Sequence, residues 1–219
     1  MCFKKKNGDE INSAGNLNLF PEFFSEETQK KIKEAFEITD EFAYILSKYG
    51  WYISANMSWV FVFEVFRAAK NNDNSFINNN MTCYYRDNLG IIQKQIIEKF
   101  PERMQIISEA FEAHRREMYF SSTALFLTQT DGLCKGRLFR HKKARQLLMN
   151  EKKRRSIFEA VLYNESAINV DTRKTDKSEF KSDLNRHAVL HGLDTSYSNE
   201  INSLKALSIL CFVADYLES

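Results

Sequence analysis

The chain has few of the residues that interrupt helices. Its 219 residues include only 7 Gly and 2 Pro. Both residue types break regular structure, so their scarcity favours long helices over many short strands. We therefore predict an all-α fold. A chain of this length has room for one large domain or two small ones.

Further absences restrict the classes of function. The formal net charge is only +2, so attraction to nucleic acid must come from local clusters of charge. The four cysteines are isolated, with neither a C-x-x-C pair nor a Cys/His spacing typical of zinc. We expect reduced thiols, a cytoplasmic location, no metal and no cofactor. The longest apolar run, Trp59 to Phe66, is far shorter than the roughly 20 residues that span a bilayer, so no membrane association is expected.

Apolar periodicity predicts three regions. Residues 1–22 are polar and predict a flexible lead-in, residues 23–100 predict an N-terminal helical region, and residues 101–219 predict a helical bundle. The helices are predicted between Ser25 and Gly50 and at 57–70, 81–100, 101–118, 121–134, 156–163, 179–191 and 199–217, the last with Ser198 as its N-cap. The asparagine-rich residues 71–80 predict a loop.

One short stretch, Asp183 to Gly192, concentrates groups suited to phosphate chemistry. Arg186 and His191 are the only Arg and His in the chain with R-x4-H spacing. A guanidinium can hold a phosphate with two parallel N–H bonds, and an imidazole exchanges its proton near neutral pH. The pair would suffice to bind a phosphodiester and to move the proton when it is cut.

The spacing of the pair requires a helix end. Residues five apart on a continuous helix point about 140° apart. Gly192 follows His191 and is typical of the position just past a helix end, so we predict that His191 lies at the C-terminus, where the last turn can direct it towards Arg186. A structural alternative remains open, in which Arg186 is a surface or ion-paired residue and His191 only caps the helix.

A second pattern is a one-sided run of basic residues between positions 137 and 155. A surface that follows phosphates and a solvated helix face are both compatible with it. His114 and His141 are expected to be surface residues. The basic run, with Glu151 as its one acid, comprises Arg137, Arg140, Lys142, Lys143, Arg145, Lys152, Lys153, Arg154 and Arg155.

Three stretches together resemble the HEPN superfamily, the helical domains of prokaryotic toxin, abortive-infection and CRISPR-associated ribonucleases. The chain looks closest to a set of bacterial proteins with a C-terminal HEPN domain. The stretches are 111–116, Leu125 to Gly132 with Gln129-Thr130-Asp131-Gly132, and Asn185 to Gly192 followed by Tyr197 and 202–206; the resemblance extends upstream through 48–52 and 85–88.

The resemblance implies an up-and-down bundle at residues 101–219 and metal-independent cleavage of RNA in a cleft shared by a homodimer. Arg186 and His191 would be the catalytic pair, with His187 and Asn185 orienting them. Gln129 and Asp131 would face the cleft from an earlier helix, and a structural partnership between Asp131 and Arg186 remains open.

Three classes of function follow. The first is an endoribonuclease acting on tRNA or another structured RNA in phage defence or as a toxin. The second is a catalytically silent HEPN module for dimerisation or for binding nucleic acid or a partner protein. The third is a structural helical module paired with a nucleotide-binding protein, as in toxin–antitoxin systems.

Overall fold

The structure, a computed structural model, describes residues 42–139, Ile168 and residues 182–217. Every regular element in these ranges is helical, which confirms the predicted all-α fold. A helical segment at residues 42–47 comes first. It is followed by α1 (Trp59–Lys70), α2 (Asn74–Asp87), α3 (Leu89–Lys99), a 3₁₀ turn (Pro101–Arg103), α4 (Met104–Arg115), α5 (Tyr119–Leu133), α6 (Arg186–Leu190) and α7 (Glu200–Leu217).

The asparagine-rich stretch is helical over most of its length, so the predicted loop at 71–80 is wrong. Helix α2 begins at Asn74, because the Asp73 carboxylate accepts a hydrogen bond from the Phe76 N–H at 2.9 Å. Ile77 and Met81 are fully buried on one face of this helix. An N-cap and a buried apolar stripe outweigh the weak helix propensity of asparagine.

The single helix predicted for residues 81–100 is two helices. Asn88 ends α2 and precedes α3, and its side-chain N–H donates to the Tyr84 carbonyl oxygen at 2.7 Å. Asparagine often ends a helix in this way, because its side chain replaces a backbone partner. After this break, α3 packs against α4.

Helix α7 is the centre of the fold. Every residue from Asn202 to Ala214 is buried, as expected for a helix without a consistently charged face. Its principal partner is α5, and it also packs against α2 and α3. Asn199 caps it, accepting from the Asn202 N–H at 2.8 Å, so the predicted cap at Ser198 is wrong by one residue.

The burial of α7 places polar groups in the core, and each has a partner. The Ser208 hydroxyl donates to the Lys205 carbonyl oxygen at 2.7 Å. The Lys205 ammonium, only 3% exposed, donates to the Ser182 hydroxyl at 2.9 Å. Gly50, in a left-handed conformation with φ of 77°, permits this approach, since a Cβ there would lie 2.5 Å from the Ser182 hydroxyl oxygen. The turn after the first helical segment therefore lies directly against the chain just before α6.

One hydrophobic cluster joins residues on both sides of position 100. It includes Trp51 and Tyr85 from the earlier part and Phe111, Phe126 and Phe212 from the later part. Cys134 and Cys211 are buried free thiols. Cys83 is disulfide-bonded, so the expectation of reduced thiols is wrong at this residue.

The helices in the part of the chain that the structure describes can be compared with what a membrane span needs. None of its helices is both long enough and apolar enough to cross a bilayer.

Candidate active site

The R-x4-H motif lies on α6 and begins with a capped turn. Asn185 is extended, with φ of −120° and ψ of 115°, and its side-chain oxygen accepts from the Ala188 N–H at 2.9 Å. A cap of this kind stabilises a helix by about 1 kcal/mol. The helix consequently starts at Arg186, and the predicted start at residue 179 is wrong, because residues 182–185 are not helical.

The other end of α6 confirms that His191 lies at the helix C-terminus. His191 is the C-cap, and Gly192 follows in a left-handed conformation with φ of 69°. The Leu193 N–H bonds to the Ala188 carbonyl at 2.8 Å, and the Gly192 N–H bonds to the Val189 carbonyl at 3.1 Å. This pair of bonds is a Schellman motif. It sets the direction of the backbone at His191.

The two histidines of the motif form a pair. Their positions four residues apart put them on one face of the turn, and their ring centroids lie 4.3 Å apart with the planes tilted by 54°. His187 is half-buried and His191 is exposed. The exposed ring of His191 is accessible to a bound molecule, and the ring of His187 lies directly beside it.

Arg186 points to an aromatic ring on the segment that follows α5. Its guanidinium carbon lies 3.9 Å from the centroid of the Phe139 ring. An arginine stacked in this way is held by cation–π attraction, worth about 0.5–2 kcal/mol. The arginine therefore contacts Phe139, while His191 contacts the ring of His187.

Asp131 lies near the end of α5 and holds the turn that carries Phe139. Its carboxylate accepts from the backbone N–H of Leu138 at 3.0 Å and from that of Phe139 at 3.4 Å. Asp131 is thus connected to Arg186 through the Phe139 backbone and ring.

Gln129 is also on α5, where its side chain is buried and bonded to Arg103. Its side-chain oxygen accepts from Arg103 at 2.7 Å, and the same guanidinium donates to the Gly132 carbonyl at 2.8 Å. A forked arginine at this helix end stabilises the carbonyls and ties the start of α4 to the end of α5. Its contact with Arg103 gives Gln129 a structural role.

The predicted basic run falls almost wholly outside the described residues. Arg137 is described and half-buried, and the Phe139 ring that contacts Arg186 is two residues further on. His141 and the other eight basic residues lie outside the described ranges: Arg140, Lys142, Lys143, Arg145, Lys152, Lys153, Arg154 and Arg155.

His114 is not a surface residue, so that prediction is wrong. It is 4% exposed, its Nδ1 lies 2.8 Å from the Ser203 hydroxyl, and that hydroxyl lies 2.7 Å from the hydroxyl of Ser122. The sequence did indicate this burial. Ile107 and Phe111, seven and three positions before His114, lie on the same face of α4 and are core residues. Burial lowers the pKa of His114, Glu200 opposes this and Arg115 adds to it.

Phe139 and Arg103 were not among the residues that the sequence predicted for the site. An aromatic residue beside a basic run is a weak signal for an arginine partner, and nothing in the local sequence indicated that Arg103 reaches α5. Over the described ranges, no three His, Cys, Asp or Glu side chains are grouped so that they could hold a metal ion.

Comparisons of the chain with protein-family models, with curated proteins and with solved structures found no match.

Proposed function

We propose that the protein is a metal-independent endoribonuclease of the HEPN type. The observation that carries this proposal is the pair of histidine rings, 4.3 Å apart at a helix end, directly following Arg186 in the chain. Two imidazoles and a guanidinium can supply the proton transfers and the stabilisation of phosphate charge that cleavage of RNA by its own 2′-hydroxyl requires.

The proposed reaction is a transesterification. The 2′-oxygen attacks the adjacent phosphorus as its proton passes to an imidazole, and the bond to the 5′-oxygen breaks as that oxygen receives a proton. The products are a 2′,3′-cyclic phosphate and a 5′-hydroxyl. His191, being exposed, is the general base or acid, and His187 orients it or serves as its counterpart. Arg186 stabilises the charge that builds on the non-bridging oxygens.

The substrate follows from the nucleophile. DNA lacks the 2′-hydroxyl, so the reaction is confined to RNA. Arg137, half-buried at the start of the basic run, lies two residues from Phe139 and thus close in the chain to the contact with Arg186. The basic run would then begin beside the cleavage site and bind the flanking phosphates of tRNA or another structured RNA.

A homodimer with a composite cleft is part of the proposal, and it rests on the family resemblance. The second copy would supply the opposite proton-transfer partner. We further propose that the enzyme acts in the cytoplasm, in phage defence or as a toxin held by a partner protein.

The test is a cleavage assay on total RNA and tRNA with EDTA present. Wild type should cut and leave 2′,3′-cyclic phosphate ends, whereas His191→Ala and Arg186→Ala should each lose at least about 10²-fold in rate. Leu193→Ala, an exposed neighbour of the motif, is the matched control and should cut normally. Equal cleavage by all four proteins would refute the assignment.

The second candidate is a catalytically silent module that dimerises or binds nucleic acid. It is favoured by the structural engagement of the Asn185, Gln129 and Asp131 side-chain oxygens. If no protein in the assay cuts RNA, but wild type retards tRNA in a salt-dependent way, this function replaces the first.

A further inference from the structure

The turn after α5 is held by several hydrogen bonds to a single residue, Asp131. Asp131 accepts from four backbone N–H groups. Its carbonyl oxygen bonds to Cys134 at 3.0 Å and to Gly136 at 2.9 Å, and its carboxylate takes the two N–H groups of Leu138 and Phe139. Leu138 is fully buried and anchors the far end of the turn. The carbonyl oxygen and the carboxylate of Asp131 together hold the turn, and the carboxylate contacts the backbone that carries Phe139.

The ring of Phe139 supports the guanidinium of Arg186. The 3.9 Å separation between the guanidinium carbon and the ring centroid is that of a close stack. A cation over the face of an aromatic ring is attracted by the negative charge of that face. The ring therefore restricts the orientation of Arg186.

We propose that Phe139, fixed by Asp131, is the positioning residue for Arg186. Asp131 acts on the site through the turn and the ring, without touching the phosphate. The assignment deepens the proposed function and rests on it for its catalytic consequence. A side chain that acts through another should change the rate and leave substrate affinity nearly unchanged, since a small misplacement of a catalytic group lowers the rate without removing the group.

The contact itself is tested by NMR, without reference to activity. A proton above an aromatic ring resonates upfield, so the side-chain signals of Arg186, assigned by their loss in Arg186→Lys, should be shifted upfield in wild type. The shift should disappear in Phe139→Leu and in Asp131→Ala and should persist in Phe139→Tyr. Asp194→Ala is the matched control, because Asp194 also accepts from a backbone N–H, that of Ser196 at 2.8 Å, in the loop after α6.

An unchanged Arg186 signal in Phe139→Leu would overturn the proposal. Loss of the shift in Phe139→Leu but not in Asp131→Ala would overturn the part assigned to Asp131. Should Asp131→Ala fold poorly, Phe139→Leu and Phe139→Tyr decide the matter for the ring.

The catalytic consequence is tested by kinetics on the same proteins. Phe139→Leu should lower kcat by about 3- to 30-fold, the loss that corresponds to a cation–π contact, with KM within about 2-fold. Phe139→Tyr should restore the rate. In an Arg186→Ala background, Phe139→Leu should have no further effect, and an equal loss in both backgrounds would overturn the positioning role. Absence of cleavage by wild type would instead refute the proposed function, while the NMR result would still decide whether Phe139 orients Arg186.

Discussion

Two histidine environments in this protein differ in almost every physical respect. His114 is in the core, 4% exposed, and bonded through Nδ1 to a chain of two serine hydroxyls. His187 and His191 are paired at the end of a five-residue helix, with His191 exposed. Burial favours the neutral form of His114 and lowers its pKa, whereas the pair on α6 is accessible to solvent and to a bound molecule.

The comparison shows that the type of residue does not decide its role. A neutral histidine in a satisfied hydrogen-bond chain holds helices together, and any change in its protonation acts against folding. An exposed histidine beside a second one costs little stability and is available for chemistry. The distinction between the two environments lies in burial and in hydrogen-bond partners.

The largest expected effect is on the cleavage rate, which should distinguish the exposed histidine pair from the buried histidine. His187→Ala should lower the cleavage rate by about 10²-fold and change the free energy of unfolding by less than about 1 kcal/mol. His114→Ala should do the reverse, losing about 1–3 kcal/mol of stability because the buried Ser203 hydroxyl loses one of its two partners and keeps only Ser122, while the folded fraction cuts normally. Urea denaturation and kinetics on both variants check this, and two variants with the same profile would break the comparison.

A smaller effect concerns a second buried titratable group. Burial lowers the pKa of Lys205 to about 8 from its ordinary 10.5, while Asp183 opposes the change. Below pH 8 the ammonium is charged in both states, so its burial destabilises the fold by about 3 kcal/mol relative to the neutral amine, at 1.36 kcal/mol per pH unit. Between pH 8 and 10.5 the unfolded chain binds more protons than the folded one, so stability from this group rises with pH.

The variant Lys205→Met should therefore be more stable than wild type near pH 7 by about 1–3 kcal/mol, and this gain should shrink as pH approaches 10. Urea denaturation at both pH values measures the difference. Lys94→Met is the control, because that side chain is 78% exposed and its substitution should not change the pH dependence. A Lys205→Met variant that is less stable at pH 7 would contradict the account.

The smallest effect is the contribution of His114 to acid sensitivity. Because burial lowers its pKa in the folded state, its contribution is fully present above the unfolded pKa of about 6.5 and is lost as pH falls towards the folded value. For one proton the loss is at most about 1.4 kcal/mol per pH unit. His114→Gln should flatten the stability curve below pH 6.5, and Ser121→Ala, an exposed serine next to Ser122, should leave it unchanged. A curve for His114→Gln parallel to that of wild type would show that another group controls acid sensitivity.

Local sequence patterns gave correct predictions where a helix ends at a residue type that strongly prefers that position. The scarcity of Gly and Pro predicted the all-α class. Gly192 predicted the C-terminal position of His191, because the residue just past a helix end is often left-handed and glycine adopts that conformation without strain. Local pattern was a poor guide at Asn74 and Asn88, where asparagine served once inside a helix and once as a break. Propensity alone cannot distinguish these uses, since buried neighbours and side-chain bonds outweigh it.

The amino-acid sequence by itself determined the all-α class, the motif and the turn that carries His191, because each depends on composition or on residues within a few positions of one another. Only the tertiary structure decided that Phe139 lies against Arg186, that Arg103 binds Gln129, and that His114 and Lys205 are buried. These contacts join residues 23 to 89 positions apart, and their free energy depends on burial and on the approach of distant helices. Packing therefore decided which titratable groups are buried, whereas neighbouring residues in the chain decided the motif.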